Sequence, residues 1–235
     1  MKITEELDMV DLCLYHKKKK MLIVGDIHLG YEEELRKKGV FVPLFQFQRT
    51  YNRLKRVLGS VEVKKIILLG DLKHEFGTIS ESEWRHCLKI IDLFLEKGKL
   101  ILVRGNHDTI LDPIAKKRGL TTRKNYSEGE MFFTHGDVIP EIPKGIKTII
   151  IGNEHPAVSI RKGSRAETYK CFLKGKYKKK ILIVLPSFNQ VTIGSDVLKE
   201  EMLSPFLKQD LSGFEVFIVS KGIFRFGIVK DLLGL

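Results

Sequence analysis

Short apolar runs, several closed by glycine, recur along the chain, and they set the expected architecture. Residues 21–25 (MLIVG), 66–70 (IILLG), 100–104 (LILVR), 131–134 (MFFT), 148–152 (TIIIG) and 181–185 (ILIVL) are continuously hydrophobic and predict buried strands. Helical spacing lies between some of them. In 44–58 the apolar positions Leu44, Phe47, Tyr51, Leu54 and Leu58 recur at three- and four-residue steps, with Gly59 placed to end the helix. Ser80 and Glu83 are spaced as a capping box for a second helix that would turn Trp84, Leu88, Ile91 and Leu95 inward and stop at Gly98.

The two ends of the chain follow another pattern. Val10, Leu12 and Leu14 alternate with other residues before the lysine run 17–20 and the strand at 21–25, which predicts a hairpin with a solvated lysine tip. The lysines at 178–180 repeat this arrangement, and Lys221-Gly222 separates 216–219 from 223–229 as a third hairpin. No repeat, low-complexity segment or linker divides the chain. We therefore expect a single α/β domain over residues 1–235, with two stacked sheets flanked by helices to accommodate both crossover and hairpin connections.

Composition narrows the class. With 235 residues, 43% hydrophobic and 30% charged, the chain can bury a full core and is neither disordered nor fibrous. Cys13, Cys87 and Cys171 are odd in number and lack CxxC spacing, so no disulfide framework or zinc knuckle is indicated and a reducing cytoplasm is expected. No apolar run reaches the length of a membrane span, and residues 1–12 lack a signal-like apolar segment. The 41 Lys plus Arg against 29 Asp plus Glu give a net charge of +12, which suits a polyanionic partner such as nucleic acid but also a lysine-rich surface adapted to heat.

Candidate chemistry follows the strands. After 21–25 come Asp26 and His28; after 66–70, Asp71; after 100–104, Asn106, His107 and Asp108; after 131–134, His135; after 148–152, Asn153, Glu154 and His155. Strand C-terminal ends form the rim on which α/β sites assemble, so these groups can converge. Carboxylates, imidazoles and an amide without thiolate suit Mn²⁺, Fe²⁺ or catalytic Zn²⁺. The donors exceed the need of one tetrahedral ion. Two ions about 3.5–4 Å apart, bridged by a carboxylate such as Asp71, would bind phosphate oxygens and activate a water.

The ordered set DxH, GD, GNHD, His-Gly and the final xxH resembles the calcineurin-like metallophosphoesterase superfamily. The blocks GDIHLGYEEELRKKG with Val42-Pro43, GNEHPAVSIRKG with CFLKG, and LPSFN with GSDV are similar to DNA-ligase-associated phosphoesterases and their uncharacterised archaeal relatives. This resemblance implies a four-layer α/β/β/α sandwich. It implies Asp26, His28, Asp71 and His155 on a first metal and Asp71, Asn106 and His135 on a second, with Mn²⁺ foremost and Fe²⁺, Zn²⁺, Ni²⁺ or Mg²⁺ as alternatives. His107 would face the scissile phosphate as charge stabiliser or general acid, and Asp108 could orient it.

Two positions depart from the family pattern. His74 stands where many relatives carry a carboxylate, and could touch substrate or support His107. Asn153 stands where a metal-binding His is usual, so the second ion should bind less tightly; Glu154 could turn inward to compensate, although an exposed glutamate is the ordinary state. Arg104, Arg161 and Arg165 could grip phosphate. His16 and His86 read as surface or helix histidines, Cys171 as a small buried hydrophobe, and Phe41, Phe45 and Phe47 as core or helix packing.

The expected function is a metal-dependent phosphodiesterase on nucleotides or nucleic-acid ends. A phosphomonoesterase, or a weakly active module that binds nucleic acid or a DNA-repair protein, are the alternatives. No membrane partner is expected.

Overall fold

Strands β1 (Leu7–Val10), β2 (Cys13–His16) and β3 (Met21–Val24) begin the chain as a three-stranded meander. The alternation at Val10, Leu12 and Leu14 is one strand in sequence but two in space, because Asp11 adopts φ 55° and turns the chain between β1 and β2. The lysine tip before β3 forms as expected. The computed structural model describes residues 1–41, 45–74, 80–162 and 165–233; Val42, Pro43, Leu44 and Gly163, used above, lie outside them.

After β3 come helices α1 (Tyr31–Lys37) and α2 (Gln46–Ser60), strand β4 (Lys65–Leu69), helix α3 (Glu81–Leu95), strand β5 (Lys99–Val103), helix α4 (Leu111–Lys116) and the short strand β6 (Thr122–Arg123). The first sheet has the order β1-β2-β3-β4-β5-β6, parallel from β3 onward. Helix α2 runs through Gly59 rather than stopping at it. In α3, Ser80 caps the start by accepting from the Glu83 amide at 3.1 Å. The fully buried face of α3 is Cys87, Ile90, Ile91 and Phe94, with Trp84, Leu88 and Leu95 packed at its margins.

The second sheet collects β7 (Asn125–Glu128), β8 (Met131–Thr134), β9 (Thr148–Ile151), β10 (Pro156–Lys162), β11 (Arg165–Tyr177), β12 (Lys180–Val184) and β13 (Ser195–Asp196) in the order β13-β10-β11-β12-β9-β8-β7. The hairpin β14 (Glu215–Val219) and β15 (Ile223–Ile228) joins β11, and α5 (Val229–Leu232) follows it.

Three cores hold these layers. Ile23, Ile67 and Leu69 from the first sheet meet Phe133, Ile150 and Phe172 from the second, which makes the two sheets a sandwich. The other face of the first sheet is covered by α2, α3 and α4. The other face of the second buries Val158, Cys171 and Val184 under Met202, Phe206 and Phe214, so its outer layer is a loop segment carrying one 3-10 turn (Pro205–Leu207) and the short α5. Each fully buried Leu, Ile or Phe contributes about 1.5–3 kcal/mol, and this fixes the two sheets firmly enough to position the loops at their ends.

Candidate metal centre

Parallel strands in both sheets, β3, β4 and β5 in the first and β8 and β9 in the second, bring the chemistry to one rim. β3 and β4 deliver Asp26, His28 and Asp71; β8 and β9 deliver His135, Asn153 and His155. The backbone there is bent to fit. His28, Asn153 and His155 have φ of 49°, 55° and 51°, a left-handed region that costs a non-glycine residue on the order of 1–3 kcal/mol. Hydrogen bonds around Asp26 offset that cost: Oδ1 accepts from the Asp71 amide at 2.8 Å and Oδ2 from the Asn153 amide at 2.8 Å. Gly70 is required by close approach, since a Cβ there would lie 2.1 Å from Asp26 Oδ1 and 2.2 Å from His135 Nδ1 at a φ of 101°.

The donor atoms form a continuous chain. Asp26 Oδ2 lies 3.2 Å from His155 Nε2, which lies 3.2 Å from His28 Nε2. His28 Nε2 is 3.9 Å from Asp71 Oδ2; that oxygen is 3.5 Å from His135 Nε2, itself 2.9 Å from Asn106 Oδ1. An octahedral ion with bonds of about 2.1 Å has donors roughly 3 Å apart along its edges, so oxygen and imidazole donors at this spacing fit a pair of hard or borderline divalent ions. Asp26, His28 and His155 form one group that could hold an ion, and Asp26, Asp71 and His135 another. Asp26 is common to both, His28, His74 and His107 form a third such group, and Asp71 Oδ2 lies 3.9 Å from His28 Nε2 and 3.5 Å from His135 Nε2.

Protonation agrees with that use. Burial would raise the Asp26 carboxyl, but His135 and His155 beside it hold it well below the carboxylate range. Burial and the facing His155 keep His28 neutral, as a ligand must be. Burial opposes charge on His135, yet Asp26 and Asp71 raise it well above its usual value, so a bound cation there would replace a proton. His74 is pushed down to about 4, chiefly by burial, against the pull of Glu34.

His107 and His74 occupy the same mouth. His107 Nδ1 meets the His74 carbonyl, which leaves Nε2 facing inward, 3.9 Å from Asp71 Oδ2. His74 Nδ1 contacts His28 Nδ1 at 3.1 Å, its Nε2 contacts Glu34, and Tyr31 packs on its ring at 4.1 Å. The cavity, about 250 Å³, is lined by His28, Asp71, Asn106, His107, Asn153, Glu154 and His155, with Tyr31, His74, Asn189, Thr192, Ser195 and Leu203 completing its wall.

Several expectations are corrected by this geometry. Asp108 does not orient the His107 ring: it is fully buried and accepts from the amides of Leu72, Lys73 and Gly105 at 3.1–3.3 Å, tying two loops together. Burial and the Asp71 charge push its pKa up to about 8, against those amides. Arg104 lies 3.3 Å from Asp112, and neither it nor Arg161 lines the cavity. Glu154 is buried rather than exposed and does turn inward: it lines the cavity, and its Oε2 accepts from the Ser204 amide at 2.8 Å. His16 is buried on β2. His86 stacks on Phe47 at 3.8 Å, whereas Phe41 and Phe45 are exposed.

Some supporting residues were not foreseen. Glu34 and Tyr31 lie inside the quoted block after DxH, but only the fold turns α1 toward His74. Asn189 lies in LPSFN; its Nδ2 donates to the Ile27 and His28 carbonyls at 3.3 Å, while the Phe188 amide donates to Asp26 O at 2.7 Å. Lys170 braces this segment from below, with Nζ donating to Ser187 O, Ser187 Oγ and Asn189 O at 2.6–3.0 Å. No motif announces that lysine.

Comparison with known proteins gives the same outline. The profile described as calcineurin-like phosphoesterase matches residues 19–211. The crystal structure of the Pseudomonas putida nuclease MPE is similar over 94% of each chain, with a TM-score of 0.68 and 19% identity. A Vps29 double mutant from Entamoeba histolytica overlaps 85% of this chain and 86% of its own, with 13% identity and a TM-score of 0.32. No curated protein matches by sequence.

Proposed function

The chain belongs to the calcineurin-like phosphoesterase family and is a metal-dependent phosphoesterase, and we propose that it is a phosphodiesterase acting on nucleotides or nucleic-acid ends. The observation that carries this reading is the cavity wall: among the described residues, no lysine or arginine lines it. A phosphomonoester brings a dianion whose second charge calls for a guanidinium or ammonium, whereas a diester brings one charge that a metal pair can meet. The net charge of +12 therefore lies away from the cavity wall, where it suits the rest of a polyanion. The nuclease title of the Pseudomonas putida structure points the same way, as does the resemblance to DNA-ligase-associated phosphoesterases.

In this reading Asp26, His28, Asp71 and His155 hold a first divalent ion and Asp71, Asn106 and His135 a second, with Asn153 contributing weakly. Mn²⁺ best suits a donor set of carboxylate, imidazole and amide without thiolate. When bound, the pair supplies Lewis acidity toward phosphate oxygens and a water of lowered pKa. The chain's own residues do the rest. Asp71, with its Oδ1 accepting from the His107 amide at 2.9 Å, is held with Oδ2 toward both groups. His107, fixed through Nδ1 by the His74 carbonyl, presents Nε2 to a phosphate or leaving-group oxygen and can deliver a proton there. The whole chain, residues 1–235, acts as one catalytic domain.

The test compares bis-p-nitrophenyl phosphate with p-nitrophenyl phosphate, using metal-stripped protein titrated with Mn²⁺ and Asp71→Asn as control. Diester hydrolysis should rise with Mn²⁺ and vanish in the variant. Preference for the monoester would contradict the diester reading. No turnover of either at saturating Mn²⁺ would favour a binding protein.

A further inference from the structure

Away from the metal rim, the second sheet carries a groove of about 460 Å³ lined by Ile160, Arg165, Glu167, Tyr169, Ile218, Ser220, Phe224 and Phe226. Strand periodicity explains its composition. Arg165, Glu167 and Tyr169 alternate along β11 and so share one face, as do Phe224 and Phe226 along β15. Tyr169 and Ile160 pack at the margin of the core under this face, which marks the groove as the part that the outer loop layer leaves uncovered.

The two phenylalanines are exposed, Phe224 by 55% and Phe226 by 36%. Beside them stand the exposed Arg165, which makes no ion pair among the described residues, and the exposed Lys221 in the turn after Ser220. Glu167 accepts from the Tyr169 hydroxyl. Flat aromatic faces, a guanidinium, a carboxylate and a hydroxyl in one open groove match a nucleobase with its apolar faces and polar edge.

We propose that this groove is a stacking site for the bases of single-stranded nucleic acid, separate from the metal centre and linked to it by β10. The proposal rests on the nucleic-acid reading above. β10 starts immediately after His155, and Ile160 lies five residues further, roughly 16 Å at 3.3 Å per residue. A strand with one phosphate at the metals can therefore reach the edge of the groove at Ile160 and lay bases several nucleotides away on Tyr169, Phe224 and Phe226. A second copy of the chain suits the surface less well, because a two-fold contact would set Arg165 and Lys221 near their own images in a protein already at +12.

The test is the anisotropy of a fluorescein-labelled oligo-dT of 20 nucleotides titrated with metal-stripped full chain, so that cleavage and metal contacts are absent. Variants are the double change Phe224→Leu with Phe226→Leu, which keeps apolar volume, and Arg165→Ala at an exposed position. Loss of one stacked base should weaken binding roughly five- to a hundredfold, while Mn²⁺-dependent hydrolysis of bis-p-nitrophenyl phosphate stays at the wild-type rate. Unchanged oligonucleotide affinity in both variants, with wild type binding and cutting DNA, overturns the stacking site and leaves the phosphodiesterase reading intact. If wild type neither binds nor cuts DNA, the nucleic-acid reading fails and this proposal falls with it. Should the leucine variant lose diester hydrolysis, Arg165→Ala decides. A wild-type dimer in light scattering that both variants dissolve assigns the groove to a second copy instead.

Discussion

In the two-ion reading, Asn153 is the residue on which metal affinity turns. Its left-handed backbone suits asparagine, and histidine also populates that region, so Asn153→His can exchange a weak amide donor for an imidazole without moving the loop. Half-maximal activity should then require less Mn²⁺ by at least the ~10-fold that changes around a ligand commonly produce; an unchanged or higher requirement would remove Asn153 from the second site. His74 acts one step further out. With His28 Nε2 on an ion, its Nδ1–H donates to the neutral His74, whose Nε2–H in turn reaches Glu34. His74→Ala should weaken metal binding by about 10- to 100-fold, measured by calorimetric titration with Mn²⁺, and equal affinity would rule out this relay. Asp26, His28, Asp71, Asn106, His107, His135, Asn153 and His155 were legible because each follows closely on an apolar strand. The role of Asp108 was not, because adjacency in GNHD does not say which way a side chain points: its carboxylate turns back to three amides.

Elements place those residues, and two of them carry their own predictions. Lys170 on β11 is half-buried, and burial with the nearby Arg53 pulls its pKa down to about 7, while three acceptors matched to three N–H donors favour the ammonium. Lys170→Met would leave those acceptors without a donor and destabilise the fold by about 3 kcal/mol in urea unfolding, and would loosen the 187–189 segment under Asp26. A change below about 0.5 kcal/mol would contradict this bracing. His16, buried at the end of β2, accepts through Nδ1 from the Lys19 amide at 3.3 Å, and burial lowers its pKa despite Glu6. The unfolded chain therefore takes up the proton first, so stability is full above about pH 6.5 and falls as pH drops toward the folded-state value. Relative to His16→Gln, the wild type should lose melting temperature between pH 6.5 and 5; parallel curves would contradict it. The buried parallel strands were legible as continuous apolar runs. The Asp11 turn was not, since no glycine marks it; the β10-β11 hairpin carries Gly163-Ser164 between its strands, a two-residue hairpin signal, but the charged residues on either side hide how far the strands extend.

At the scale of the whole molecule, the sandwich separates two electrostatic tasks. The cavity wall holds metal-binding groups and no lysine or arginine among the described residues, while the cationic excess lies outside it. Hydrolysis of a small diester should accordingly vary little between 50 and 200 mM salt, whereas affinity for an oligonucleotide should fall steeply, by ~10-fold or more for a few phosphate contacts. Equal salt dependence for both would mean that charge acts at the cavity itself. Net charge alone does not separate a nucleic-acid surface from a heat-adapted one; the nucleic-acid reading draws on Arg165, Phe224 and Phe226 lining one groove, and only the pairing of β14 between β11 and β15 brings them there. The account depends above all on the metal pair. A crystal soaked in Mn²⁺, with anomalous scattering recorded near the manganese edge, should show two peaks about 3.5–4 Å apart, one against Asp26, His28 and His155 and one against Asn106 and His135, with Asp71 between them. A single peak, or ions bound away from Asp71, would contradict it.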